Sequence, residues 1–194
     1  MANKKHYIIT SITLGIIAAF SAALIGLSNL ATRDKIAQNE KDKINSGISE
    51  IYGKTGLKYE ESAVTGEYKY VQLSYKVNSE SDSFVGYVFK TTGSNMYGKI
   101  SLLVGFENAI GGYLYKNMYV VVNEQTYAST LIDKYVDPVN AGNRDLDDVS
   151  CGATYGAKLV RDMVNEATTA AEAIWGDLKW VEKKDLPKRI SSKA

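Results

Sequence analysis

The segment with the clearest chemical potential in this sequence is a small-residue turn that precedes a predicted helix. Gly152, Ala153 and Gly156 surround Thr154, which stands where the helix is predicted to begin. Unpaired backbone N–H groups and the helix dipole make such a position suitable for an anion, above all a phosphate. A competing interpretation is that Thr154 or Ser150 only caps the helix, which stabilises it by about 1 kcal/mol. Taken alone, this segment favours the cap.

Other kinds of site are excluded by residue counts. The chain has one cysteine, Cys151, and one histidine, His6. Zinc clusters and Ser-His or Cys-His pairs therefore cannot be assembled within it. The 23 Lys and Arg nearly cancel the 22 Asp and Glu, so the chain lacks the basic field of a nucleic-acid-binding protein. We expect no nucleic acid among its partners.

An apolar run near the N-terminus predicts a membrane anchor. No charged side chain occurs between residues 7 and 32, and residues 8–27 supply the roughly 20 apolar positions that cross a bilayer. A cleaved signal peptide is the alternative, but its apolar core is shorter and ends in small residues of the A-x-A type. The sequence thus predicts a tail over residues 1–6 and a transmembrane helix over residues 7–31.

The charges that flank this run predict a cytoplasmic domain, whereas the family resemblance given below implies an extracytoplasmic one. Two basic residues, Lys4 and Lys5, precede the apolar run, whereas four follow it: Arg33, Lys35, Lys41 and Lys43. Because the side with more basic residues tends to stay in the cytoplasm, this count places the bulk of the chain there.

Periodicity predicts the remaining elements and an α+β fold. Ile36, Ile44, Ile48 and Ile51 have helical spacing and indicate a juxtamembrane stalk over residues 32–65, its helix ending near Gly53. From residue 66 the period changes to two. Strands are predicted with Val71, Leu73, Tyr75 and Val77 on one face, and over residues 83–91, 99–106 and 113–122.

Two helices complete this mostly antiparallel domain, which is predicted to cover residues 66–175. A short one is expected at residues 127–135, and a longer one follows Thr154. The apolar positions of the longer helix are Val160, Met163, Val164, Ala167, Ala171 and Ile174. Residues 176–194 are predicted to be a basic, peripheral tail.

The segment around Thr154 resembles the FMN-binding domain of the Rnf-complex G subunit and of the C subunit of sodium-pumping NADH:quinone oxidoreductase. That family has an Asp, two variable residues, Ser or Thr, then Gly-Ala-Thr. Here residues 148–154 read DVSCGAT, with Cys151 where the family usually has Ser or Thr. The resemblance implies that a flavin transferase joins FMN to Thr154 through a phosphoester. It also implies that Asp148, Cys151, Gly152 and Ala153 form the sequence that the transferase recognises.

A second stretch, residues 86–112, resembles the family's strand, glycine loop and strand. The family's Glu-Thr-Pro-Gly-Leu-Gly loop, which lies against the flavin, is represented only by NEQTYAST at residues 123–130. The resemblance implies that further residues contribute to the cofactor site. These are Ser150, Gly152, Ala153, Tyr155, Tyr97, Gly98 and Thr126, with Tyr97, Tyr127 and Tyr155 as candidates for covering the ring. Because the chain has 14 tyrosines, the alternative for each is an ordinary place in the sheet or core.

The resemblance implies a membrane-anchored, extracytoplasmic electron carrier with covalent FMN and no catalytic side chains of its own. It would be either a subunit of an Rnf-like complex or part of an extracellular electron-transfer chain. Its expected partners are the flavin transferase, other redox proteins or subunits, and the lipid bilayer. Two alternatives remain: a binding or sensory domain of the same fold without flavin, and a structural envelope protein.

Overall fold

The computed structural model describes residues 2–64, 66–109, 112–125, 154–175 and 179–180. Two helices and six strands lie in this part of the chain. They are α1 (Ala2–Tyr52), β1 (Lys58–Ser62), β2 (Val71–Asn78), β3 (Phe84–Asn95), β4 (Gly98–Ala109), β5 (Gly112–Asn123), α2 (Thr154–Trp175) and β6 (Lys179–Trp180). The helix predicted at residues 127–135 lies outside the described residues.

The chain divides into two compact units, Met1–Lys43 and Ile44–Ala194. In the first unit, the large apolar side chains of α1 are more than half exposed, as in Ile12 (57%) and Phe20 (69%). Within the described part of the chain, one helix is long and apolar enough to cross a membrane, and its apolar window is not buried. This fits a single-pass membrane protein.

The second unit is built on one sheet with the strand order β1-β2-β3-β4-β5-β6. All neighbours from β1 to β5 pair antiparallel, whereas β6 pairs parallel with the start of β5. The predicted α+β class with a mostly antiparallel sheet is therefore confirmed. The strand β6 was not predicted, because residues 179–180 were assigned to a peripheral tail.

One face of the sheet is covered by the last turns of α1. Ile44, Ile48 and Ile51 are buried there against side chains such as Leu103 and Val88. The sequence correctly predicted a helical end near Gly53, since α1 ends at Tyr52. The predicted stalk, however, differs from the structure, because these isoleucines and the strand β1 lie within the second unit.

The other face is covered by α2, whose predicted apolar positions all face the core. Val160, Met163, Ala167 and Ala171 are buried at 0% exposure and contact the sheet cluster that includes Phe89. The helix can approach β3 closely at Gly93, because a Cβ there would lie 2.6 Å from Leu159 Cδ1. A larger residue at this position would force the Leu159 side chain to shift.

At the start of β2, the structure differs from the prediction that Val71, Leu73, Tyr75 and Val77 share one face of the strand. A register shift between Val71 and Leu73 interrupts the pairing of β2 with β3. Such a bulge reverses the side-chain alternation, so Val71 joins the α2 cluster while Leu73 and Tyr75 pack on the α1 side. The prediction that these residues share one face was therefore wrong for Val71.

Candidate functional site

The candidate site lies where α2 begins. Thr154 is the first residue of the helix, as predicted, and no acidic side chain occupies the first turn. Lys158 is exposed one turn further on. A cation near a helix N-terminus is unfavourable for the helix dipole but favourable for a bound anion, so this charge pattern suits a phosphate.

Several predicted site residues lie outside the part of the chain that the structure describes. The same holds for the side chain of Thr154, although its backbone is described as helical. The residues concerned are Thr126, Tyr127, Asp148, Ser150, Cys151, Gly152 and Ala153.

The tip of the β3–β4 hairpin lies beside the start of α2. The ring centroids of Tyr97, at this tip, and Tyr155, the second residue of the helix, are 6.1 Å apart, with the ring planes tilted by 41°. Tyr97 is 59% exposed and Tyr155 is 64% exposed. Two aromatic residues singled out from the sequence, 58 positions apart in the chain, are therefore brought together.

The hairpin tip and the start of α2 carry exposed apolar side chains. Among the described residues of Ile44–Ala194, the large apolar side chains that are exposed are Tyr97, Tyr155 and Met96, the last at 82%. Exposed apolar side chains that occur singly are ordinary, whereas a group of them is a feature of binding surfaces.

A polar network fixes the hairpin tip. Asn95 Oδ1 accepts hydrogen bonds from Tyr97 N (2.9 Å) and from Gln125 Nε2 (3.0 Å). Gln125 Nε2 also donates to the Gly98 carbonyl (3.1 Å), so it reaches both sides of the turn. Asn95 Nδ2 in turn donates to the Tyr155 carbonyl (3.4 Å), which connects the hairpin to α2.

The end of β5 holds the same hairpin through Glu124. Its backbone N–H donates to the Lys99 carbonyl, and its carboxylate accepts from Lys99 N, both at 3.0 Å. Gly98 has a φ of +131° there, and a Cβ would lie 2.9 Å from Glu124 Cβ. Gly98, which was predicted to bind the cofactor, is thus required by the turn itself.

Sequence reasoning missed Asn95 and Gln125. Asparagine before a two-residue hairpin loop is a turn signal, since its side chain commonly bonds the backbone two residues on, and Asn95 does this with Tyr97. Gln125 gives no comparable signal, because its partners lie about 30 residues away in the chain.

The described residues fit a flavin phosphate. A helix N-terminus without carboxylates suits the phosphate, and the two exposed tyrosine rings offer apolar surface close to it. No group of His, Cys, Asp or Glu among the described residues could hold a metal ion.

Residues 1–51 match the family described as the RnfG N-terminal region. This confirms the resemblance to the Rnf G-subunit family over that part of the chain, which comprises nearly all of α1. No curated protein matches the chain at a significant level.

Proposed function

We propose that this protein is an electron carrier anchored in the cell membrane, with FMN joined by a phosphoester to Thr154. The observation that carries the proposal is the position of Thr154. It is the first residue of α2, beside the exposed pair Tyr97 and Tyr155. The N-terminal match to the RnfG family supports an Rnf-like subunit, and the resemblance of residues 148–154 to the flavin-attachment motif supports the FMN.

The side chains of this protein would bind and orient the cofactor. The N–H groups of the first turn of α2 and the ammonium group of Lys158 would stabilise the phosphate charge. Tyr97 and Tyr155 would shield one side of the ring system and leave the other accessible to a redox partner. When bound, FMN accepts and donates one or two electrons, so no catalytic side chain is required.

Attachment would require a flavin transferase that recognises residues 148–153. A bond forms between Thr154 Oγ and the flavin phosphate, the hydroxyl loses its proton, and the remainder of an activated flavin nucleotide leaves. The residues described in the structure offer no histidine or metal ligands near Thr154 to promote this step without an enzyme. The other partners would be subunits of an Rnf-like complex or redox proteins of an extracellular chain, together with the bilayer.

The attachment site is tested by intact-mass measurement of protein purified from the membranes of its source. The expected mass exceeds that of the chain by one FMN less one water. Co-expression with a flavin transferase should give the same adduct. Thr154→Val should abolish it, because valine has the shape of threonine but no oxygen, whereas Thr154→Ser should retain it.

Wild-type protein without flavin would contradict the proposal and favour a binding or sensory domain of the same fold. An adduct that persists in Thr154→Val would place the cofactor elsewhere.

The orientation of the domain is a separate part of the proposal. We place residues 33–194 outside the cytoplasm, because long domains that follow an anchor are translocated with little regard to charge. Protease added to intact spheroplasts should then remove the flavin-bearing domain and leave a small membrane-embedded stub. Degradation only after lysis would mean that the domain is cytoplasmic, and an extracellular role would be excluded even if Thr154 is flavinylated.

A further inference from the structure

Asn95 connects two parts of the chain that flank the attachment segment. Gln125, which donates to Asn95 Oδ1, directly precedes residues 126–153, and Tyr155, which accepts from Asn95 Nδ2, follows them closely. Residues 148–154 carry the sequence that resembles the flavin-attachment motif. One side chain therefore links the two ends of the segment that contains it.

The amide of asparagine is suited to this link because it combines an acceptor and a donor in one short, planar group. Its oxygen accepts from Tyr97 N and Gln125 Nε2, while its nitrogen donates to the Tyr155 carbonyl. Aspartate would keep the acceptor but lack the donor toward Tyr155. Alanine would lose both and leave Gln125, which is only 7% exposed, without one of its partners.

We propose that Asn95 is a positioning residue for flavin attachment. It holds the start of α2 against the hairpin tip and the end of β5, and so fixes the geometry in which Thr154 is presented to the transferase. This inference rests on the proposed function.

The experiment compares full-length wild type, Asn95→Ala and Asn95→Asp, each co-expressed with a flavin transferase. The matched control is Asn108→Ala, an exposed asparagine at the far end of β4. The flavinylated fraction is followed over time by intact mass. Flavin fluorescence of the modified fraction and the melting temperature of unmodified protein are measured in parallel.

We expect both Asn95 variants to be flavinylated about fivefold more slowly than wild type, because both lose the hydrogen bond to the Tyr155 carbonyl. Their modified fractions should fluoresce more strongly, since a displaced Tyr155 quenches the flavin less. Asn108→Ala should match wild type in every measurement. Asn95→Asp should keep a near-normal melting temperature, because it retains both acceptor bonds of the hairpin.

Flavinylation of Asn95→Ala and Asn95→Asp at the wild-type rate would overturn the positioning role and leave the proposed function intact. A fall in rate that only parallels a fall in melting temperature would make Asn95 a residue for folding, and would overturn it too. Wild-type protein that acquires no flavin would instead contradict the proposed function itself.

Discussion

The two ends of α2 carry aromatic residues in very different surroundings. At its C-terminal end, Trp175 stacks on Tyr113 with ring centroids 5.1 Å apart and also meets Tyr87 edge-on at 5.0 Å. At its N-terminal end, Tyr155 and Tyr97 are 6.1 Å apart and both more than half exposed. The first group stabilises the fold, whereas the second leaves apolar surface in water beside the proposed attachment residue.

The two aromatic groups differ in the surroundings that their proposed roles require. Rings that close the core need neighbours on every side, while rings that cover a cofactor must stay exposed until it binds and must leave it accessible afterwards. Substitutions at the two ends should therefore affect different properties, stability at one and the flavin at the other.

The largest expected effect on stability is at Trp175. Replacement by alanine removes contacts with Tyr113, Tyr87 and Phe84 and should lower the free energy of unfolding by about 3 kcal/mol. Trp175→Phe keeps an aromatic ring and should lose less than half as much. Thermal unfolding in detergent, followed by circular dichroism, measures both, and an unchanged melting temperature in Trp175→Ala would show that this cluster does not stabilise the fold.

A pH-dependent effect is expected from the buried tyrosines of the core. Burial raises the pKa of the Tyr115 hydroxyl well above its ordinary value. The pKa of Tyr52 is raised by burial and, to a smaller extent, by the charge of Glu107. The raised folded-state pKa means that stability is fully present below the unfolded-state pKa of about 10 and is lost as pH rises above it.

Above about pH 10, the free energy of unfolding should fall by about 1.4 kcal/mol per pH unit for each buried tyrosine. Tyr115→Phe should remove one such contribution and flatten the alkaline branch. At neutral pH it should cost little, because the Tyr115 hydroxyl has no hydrogen-bond partner among the described residues. Tyr52→Phe is the comparison, since it also loses the 2.9 Å hydrogen bond to the Phe106 carbonyl. Equal alkaline sensitivity in wild type and Tyr115→Phe would disprove the buried-tyrosine explanation.

The smallest effects on stability are expected at the exposed pair. Tyr97→Leu and Tyr155→Leu should change the free energy of unfolding by no more than about 0.5 kcal/mol, since both side chains are mainly in water. Flavin fluorescence should nevertheless rise in each, because a tyrosine ring against the flavin quenches it. Met96→Leu, at the same tip, is the control and should alter neither property. Unchanged fluorescence in both tyrosine variants would mean that they do not contact the cofactor.

Much of the fold could be predicted because the apolar residues on the buried face of a helix or strand recur at a regular spacing along the chain. The buried positions of α2, such as Val160 and Met163, follow from this spacing alone. The same spacing at Ile44 and Ile48 could not reveal that the sheet covers them, because periodicity shows a face and not its partner. The bulge at Val71 and the short strand β6 depend on pairing with distant strands and leave no local signal.

The candidate site was predictable where it consists of a local pattern. The helix start at Thr154 follows from small residues before an apolar repeat, and the structure places α2 there. The proximity of Tyr97 and Tyr155, and the bonds from Asn95 to Gln125 and Tyr155, depend on tertiary packing across long stretches of chain. Such contacts cannot be derived from spacing.

The central claim, that Thr154 carries the flavin, is tested most directly by fragmenting one peptide. Trypsin cuts after Arg144 and Lys158, so the intervening peptide DLDDVSCGATYGAK contains Thr154 together with the hydroxyl groups of Ser150 and Tyr155. In protein purified from its source membranes, this peptide should carry one FMN phosphoester, and fragment masses should place it on Thr154. A flavin on Ser150, or a peptide recovered without any flavin, would contradict the assignment.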